Sequence, residues 1–182
     1  MTGWLLDTNV LSALAPGKPA VAPATAAWFD ERTDALFLSA ITAAEIEAGI
    51  SKLRRTGSAQ RAENLHDWFE RMLSFYADRV LPFDLGAARI AGMLSDAAQA
   101  DGRHPGFADV AIAAIAKSRE LVILTLNLAP LGVSIRSNRL EALDRISDIL
   151  RVSTSGAGWS AYPRPRPAVS PRSSPPTWRA IA

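Results

Sequence analysis

Cysteine is absent from the 182 residues. That excludes disulfides, zinc-thiolate sites and thiol nucleophiles, so stability has to come from packing, and the chain is compatible with a reducing cytosol. Histidine occurs only twice. His66 falls on a long amphipathic stretch and His104 beside Pro105 in a loop, so neither reads as part of a catalytic triad and both read as surface residues. No apolar run approaches the ~20 residues needed to span a bilayer. The segment Met1 to Leu6 lacks basic residues and meets Asp7 too early to hold a secretory apolar region. The expectation is a soluble cytoplasmic protein with no membrane association.

Acids are missing from one end. Residues 151–182 hold five arginines and no Asp or Glu, which leaves 15 of the 20 basic residues against 18 acids in residues 1–150. The globular part is formally −3 and the tail +5, so the sequence pI near 9.4 comes from the tail and is no nucleic-acid footprint of the folded part. The tail is rich in Pro, Ser and Arg without apolar periodicity and is expected to be disordered. With 48% hydrophobic residues, the remainder suffices for one domain with a buried core.

Short apolar runs alternate with helical patterns. Residues 4–6, 36–39, 80–83 and 121–125 read as strands. Helical patterns cover residues from 8 to a stop at Pro16-Gly17, then 20–31, about 42–53, 58–76, 84–100 and 107–118, with Thr42 as a candidate N-cap; 140–150 reads as a last helix. The stretch 107–118 is apolar on nearly every side and should be a central, buried helix. The alternation predicts an α/β fold with a mainly parallel sheet, in which ligands gather beyond the carboxyl ends of the strands.

Three isolated carboxylates stand out in this apolar setting. Asp7 closes the run Trp4-Leu5-Leu6, and Glu45 and Asp109 each sit on an otherwise apolar helical stretch. Singly, Asp7 could be an N-cap, and Glu45 and Asp109 could occupy first helical turns where the dipole favours negative charge. Together they point elsewhere. A carboxylate is costly to hold against apolar surroundings without a cation, and three from distant segments most economically share a divalent metal, which leads to phosphodiester chemistry. Lys52, Arg54 and Arg55, on the same segment as Glu45, are candidate phosphate contacts or else a solvated helix end.

These residues also resemble a known family. The segments Leu5-Leu6-Asp7-Thr8-Asn9-Val10-Leu11-Ser12, Leu38 to Ile50 with Glu45 inside it, Gly106-Phe107-Ala108-Asp109-Val110-Ala111-Ile112-Ala113-Ala114 and Leu124-Thr125-Leu126-Asn127 are similar, in order and spacing, to the PIN-domain nucleases, and among them to the VapC-type toxins of type II toxin–antitoxin pairs. The resemblance implies a three-layer α/β/α sandwich over residues 1–136, with 137–150 as a possible C-terminal helix and 151–182 as the tail. It implies a Mg²⁺- or Mn²⁺-dependent endoribonuclease with Asp7, Glu45 and Asp109 as catalytic and metal-binding acids. Thr8, Asn9 and Thr125 would be polar supports. The implied partners are an RNA substrate, a cognate antitoxin and a second copy of the chain, for which Trp28, Phe29, Trp68 and Phe69 are candidates, although core packing is the preferred reading of all four.

The chain departs from the pattern in one place. The family carries a fourth acid shortly after the position of Asn127, whereas here Asn127-Leu128-Ala129-Pro130-Leu131-Gly132-Val133 supplies none. The alternative function is thus a catalytically weakened PIN module acting mainly through antitoxin binding. A haloacid-dehalogenase-like phosphatase would need an acid at Asn9 and is set aside.

Overall fold

The structure is a computed structural model that describes residues 3–126. The expected helix at 140–150, the tail and the segment after Asn127 lie outside those residues. Four strands, β1 (Trp4–Leu6), β2 (Leu36–Ser39), β3 (Val80–Leu81) and β4 (Val122–Leu124), alternate with six helices: α1 (Thr8–Ala13), α2 (Pro23–Glu31), α3 (Ala40–Arg55), α4 (Ala59–Tyr76), α5 (Leu85–Ala100) and α6 (Phe107–Ser118). All strand pairs are parallel and their order is β3-β2-β1-β4. Trp4, Leu5 and Leu6 pair in register with Val122, Ile123 and Leu124.

Strand side chains alternate between two cores. Leu6, Leu36, Leu38 and Leu124 join Val10, Leu11, Phe29, Ile46, Ile50, Trp68, Phe69, Met72 and Tyr76 on the face covered by α1 to α4. Leu5 and Ile123, with Phe37 beside them, meet Ala87, Ile112, Ala113 and Ile115 of α5 and α6 on the other. Both faces are covered, which explains why the strands read as unbroken apolar runs and gives the three layers expected. The seven residues Val110 to Ala116 are all buried, as the composition of α6 requires.

Phe29, Trp68 and Phe69 are within 1% of full burial and belong to the core, the role preferred for them, which removes them as interface candidates; Trp28 is half-buried, edge-on to Trp4 and Phe29. Two expectations are corrected. The N-cap of α3 is Ser39 rather than Thr42, because the helix begins at Ala40, directly after the last residue of β2, and the Ser39 hydroxyl accepts from the Thr42 amide at 2.9 Å. His66 is half-buried with an enclosed Nδ1, not a surface residue.

Tyr76 ends α4 with its hydroxyl buried and without a hydrogen-bond partner among the described residues. Burial pushes its phenol well above the ordinary value of 10.0, and the nearby Arg79 guanidinium, 4.9 Å from the ring centroid, only partly opposes this. The neutral form is favoured in the folded state, so the stabilisation is complete below pH 10 and is lost as the pH rises towards the folded value. Tyr76→Phe is expected to leave the melting temperature unchanged or raise it by a few degrees, since an unsatisfied buried hydroxyl costs about 1–3 kcal/mol, and to blunt the alkaline loss of stability. A fall of several degrees in a thermal melt would show that the hydroxyl has a partner.

Candidate metal centre

Strands β2 and β3 lie on one side of β1 and β4 on the other, so the order of the sheet reverses beside β1. In an open parallel sheet the crevice beyond the carboxyl ends at such a reversal is where ligands bind. Asp7 and Thr125, the residues directly after β1 and β4, stand there. The Asp7 amide continues the ladder to the Leu124 carbonyl at 3.0 Å, and its carboxylate caps α1 through the Thr8 amide at 2.7 Å. The second carboxylate oxygen accepts from Asn9 Nδ2 at 2.8 Å and from Thr125 Oγ1 at 2.6 Å. Asn9 also bonds Thr125 at 3.0 Å and accepts from the Leu126 amide at 2.9 Å. Three donors thus fix the Asp7 carboxylate while leaving part of its lone-pair capacity open.

Glu45 comes from α3, which starts directly from the end of β2. Ser39, fully buried, caps this helix and donates to Thr42 Oγ1 at 2.9 Å; Thr42 in turn donates to the Leu6 carbonyl at 3.4 Å. The start of α3 is therefore tied to the end of β1. Glu45, exposed one turn on, accepts the Thr8 hydroxyl at 2.5 Å. Asp109 occupies the first turn of α6, after the N-cap Gly106, where a carboxylate complements the helix dipole. Helix α6 returns across the sheet into β4, which brings its N-terminus to the edge where β1 and β2 end. Both α1 and α6 touch α3.

The three carboxylates have the chemistry of a hard-cation site. All donors are anionic oxygens, and among the described residues the ion pairs are made by other acids, so none of the three is neutralised by Lys or Arg. Their oxygens do not all lie within 4.8 Å of one another. Opposed oxygens on one Mg²⁺ are about 4.2 Å apart, so a shared ion requires one side chain to turn inward, and exposed Glu45 has the room to do it.

A family model for the PIN domain matches residues 4–129. The chain belongs to the PIN-domain family. The PIN domain here is similar to the toxin FitB of Neisseria gonorrhoeae (36% identical, covering 66% of this chain and 85% of that protein) and to VapC ribonuclease Y4jK of Sinorhizobium fredii (37%, covering 69% and 88%). Among solved structures it resembles FitAcB from N. gonorrhoeae, with a TM-score of 0.60 and 34% identity over 70% of this chain and 90% of that one.

One detail of the PIN domain escaped the sequence, and one open alternative is decided. Ser39 was legible only in hindsight, as the Ser of a Ser-x-x-Thr cap placed where a strand hands over to a helix. The basic group Lys52, Arg54 and Arg55 fills the last turn of α3, about 10–15 Å along the axis from Glu45. Arg54 pairs with Glu63 at 3.0 Å, so the group serves the helix terminus and the α3–α4 turn, away from the acids.

Proposed function

We propose that this PIN domain is a metal-dependent endoribonuclease toxin, neutralised by a cognate antitoxin, with Asp7, Glu45 and Asp109 as its metal-binding and catalytic acids. The observation that carries the reading is the Asp7 carboxylate, fixed by Thr8, Asn9 and Thr125 at the reversal of the sheet and, among the described residues, without an ion pair. Relatives named as a VapC ribonuclease and a toxin support it.

Asp7 contributes a preset ligand whose orientation costs no ordering at the moment of binding. Thr8 holds Glu45 beside it, and Asp109 adds the third negative charge from α6. A divalent ion bound there would polarise the phosphodiester and lower the pKa of an attacking water. Because three acids would supply that charge, no side-chain nucleophile is required. The homodimer belongs to the same proposal, and its interface has to use residues other than Phe29, Trp68 and Phe69.

Mg²⁺ and Mn²⁺ are the ions of choice, and the missing fourth acid sets a preference between them. Mg²⁺ demands near-ideal octahedral geometry, so a ligand set short of one acid is expected to cleave RNA better in Mn²⁺ than in Mg²⁺ at equal concentration. Inserting three residues ending in Asp-Phe after Asn127 should then raise the Mg²⁺ rate. Equal rates in both ions, with no gain from the insertion, would mean that three carboxylates suffice. The weakened-module alternative rests on that same segment, and relatives named ribonuclease and toxin do not favour it.

A further inference from the structure

Helices α3 and α4 form an antiparallel hairpin whose turn is closely specified. Gly57, at φ 82°, lets the Ser58 amide bond the Leu53 carbonyl at 2.9 Å and its own amide bond that of Arg54 at 3.3 Å, closing the C-terminus of α3. Arg54 and Glu63 then clamp the two helices near the turn. Further along, Glu47 of α3 faces His66 and Glu70, which lie four residues apart on one face of α4. One ligand atom from each of these three side chains lies within 4.8 Å of the other two.

We propose that Glu47, His66 and Glu70 form a second cation site, for a borderline divalent metal of the zinc class, which pins α3 to α4. Three observations converge. Two carboxylates approach each other without a Lys or Arg between them, since the ion pairs of the described residues lie elsewhere. The imidazole makes no ion pair with either acid, and its Nδ1 is shut off from solvent with no hydrogen-bond partner among the described residues. A buried, unsatisfied ring nitrogen is costly, and the unprotonated nitrogen of a neutral imidazole is satisfied either by a hydrogen-bond donor or by a metal ion. The set of one nitrogen and two oxygens, with Glu70 exposed and leaving a side open to water, suits zinc and its neighbours rather than Mg²⁺.

The site is separate from the acids at the sheet edge. Glu45 and Glu47 are two positions apart on α3, about 200° around its axis, and Ile46 between them is buried in the core. A metal on the Glu47 side would fix the register of α3 against α4, and with it the position from which Glu45 projects.

The test uses the full chain with Mg²⁺ in large excess to occupy the sheet-edge acids. Zn²⁺ is titrated by calorimetry, and the two histidines, His66 and His104, are followed by NMR of their imidazole groups. One equivalent should bind and shift the His66 signals while leaving those of His104 in place. Glu70→Gln, at an exposed position that does not threaten folding, should weaken Zn²⁺ by at least about tenfold, as should His66→Ala, because even indirect partners of a metal cost that much. Asp7→Asn should leave Zn²⁺ affinity unchanged. Zn²⁺ binding that survives Glu70→Gln, that moves His104 instead, or that disappears with Asp7→Asn would overturn the proposal.

Discussion

Replacing Asp109 by alanine is expected to lower RNA cleavage by the full chain roughly 100-fold or more, and to relieve growth arrest in cells that express it. The magnitude follows from the several kcal/mol of charge stabilisation that a metal-held phosphate receives, at 1.36 kcal/mol per tenfold in rate. Folding should be spared. Asp109 sits in the first turn of α6, where losing a carboxylate costs about 0.3–1 kcal/mol of helix-dipole stabilisation, while the buried run Val110 to Ala116 that anchors the helix is untouched. Circular dichroism on the same preparation checks this. Growth arrest that persists in a folded Asp109→Ala protein would mean that toxicity is not nuclease chemistry.

The largest effect on stability is expected at Trp68. Its side chain is 1% exposed, packs beside Phe69 with ring centroids 6.4 Å apart, and fills the core beneath α3 and α4. Trp68→Ala should cost about 3–5 kcal/mol, a large part of the roughly 5–15 kcal/mol that holds a domain folded. Trp68→Phe should cost much less, because the indole Nε1 is buried without a partner among the described residues and its removal relieves that penalty. Urea denaturation of the two variants measures the difference. Equal losses would show that the indole nitrogen is satisfied and that ring volume does not decide the stability at this position.

The layer structure was legible because a sheet covered on both faces leaves its strands as short apolar runs, and Trp4–Leu6, Leu36–Leu38 and Val122–Leu124 are such runs. Helix α6 was legible for the same reason. Asp7 could be singled out because it closes a buried strand, although its capping of α1 alone would also have accounted for it. Thr125 was expected beside Asp7 as a polar support, but the strand order that brings them together was not legible, because pairing depends on contacts 118 residues apart in sequence. The role of Ser39 was hidden because α3 follows β2 with no intervening loop, so the last strand residue is also the cap of the helix. His66 was misplaced because an amphipathic pattern locates the polar face of α4 but not the neighbouring helix that covers part of it. Phe29, Trp68 and Phe69 were legible as core, because their apolar spacing suits a buried helix face.

Everything claimed for the sheet edge depends on Asp7 being a metal ligand, and Mn²⁺ calorimetry on the full chain tests this most directly. The parent and Asp7→Asn are compared with Glu70→Gln present in both, so that the α3–α4 cluster does not contribute. The amide can keep one acceptor for Thr125 or the Thr8 amide, so circular dichroism should be unaltered, whereas Mn²⁺ affinity should fall by at least about tenfold. An unchanged Mn²⁺ affinity in the folded variant would contradict the assignment of the site.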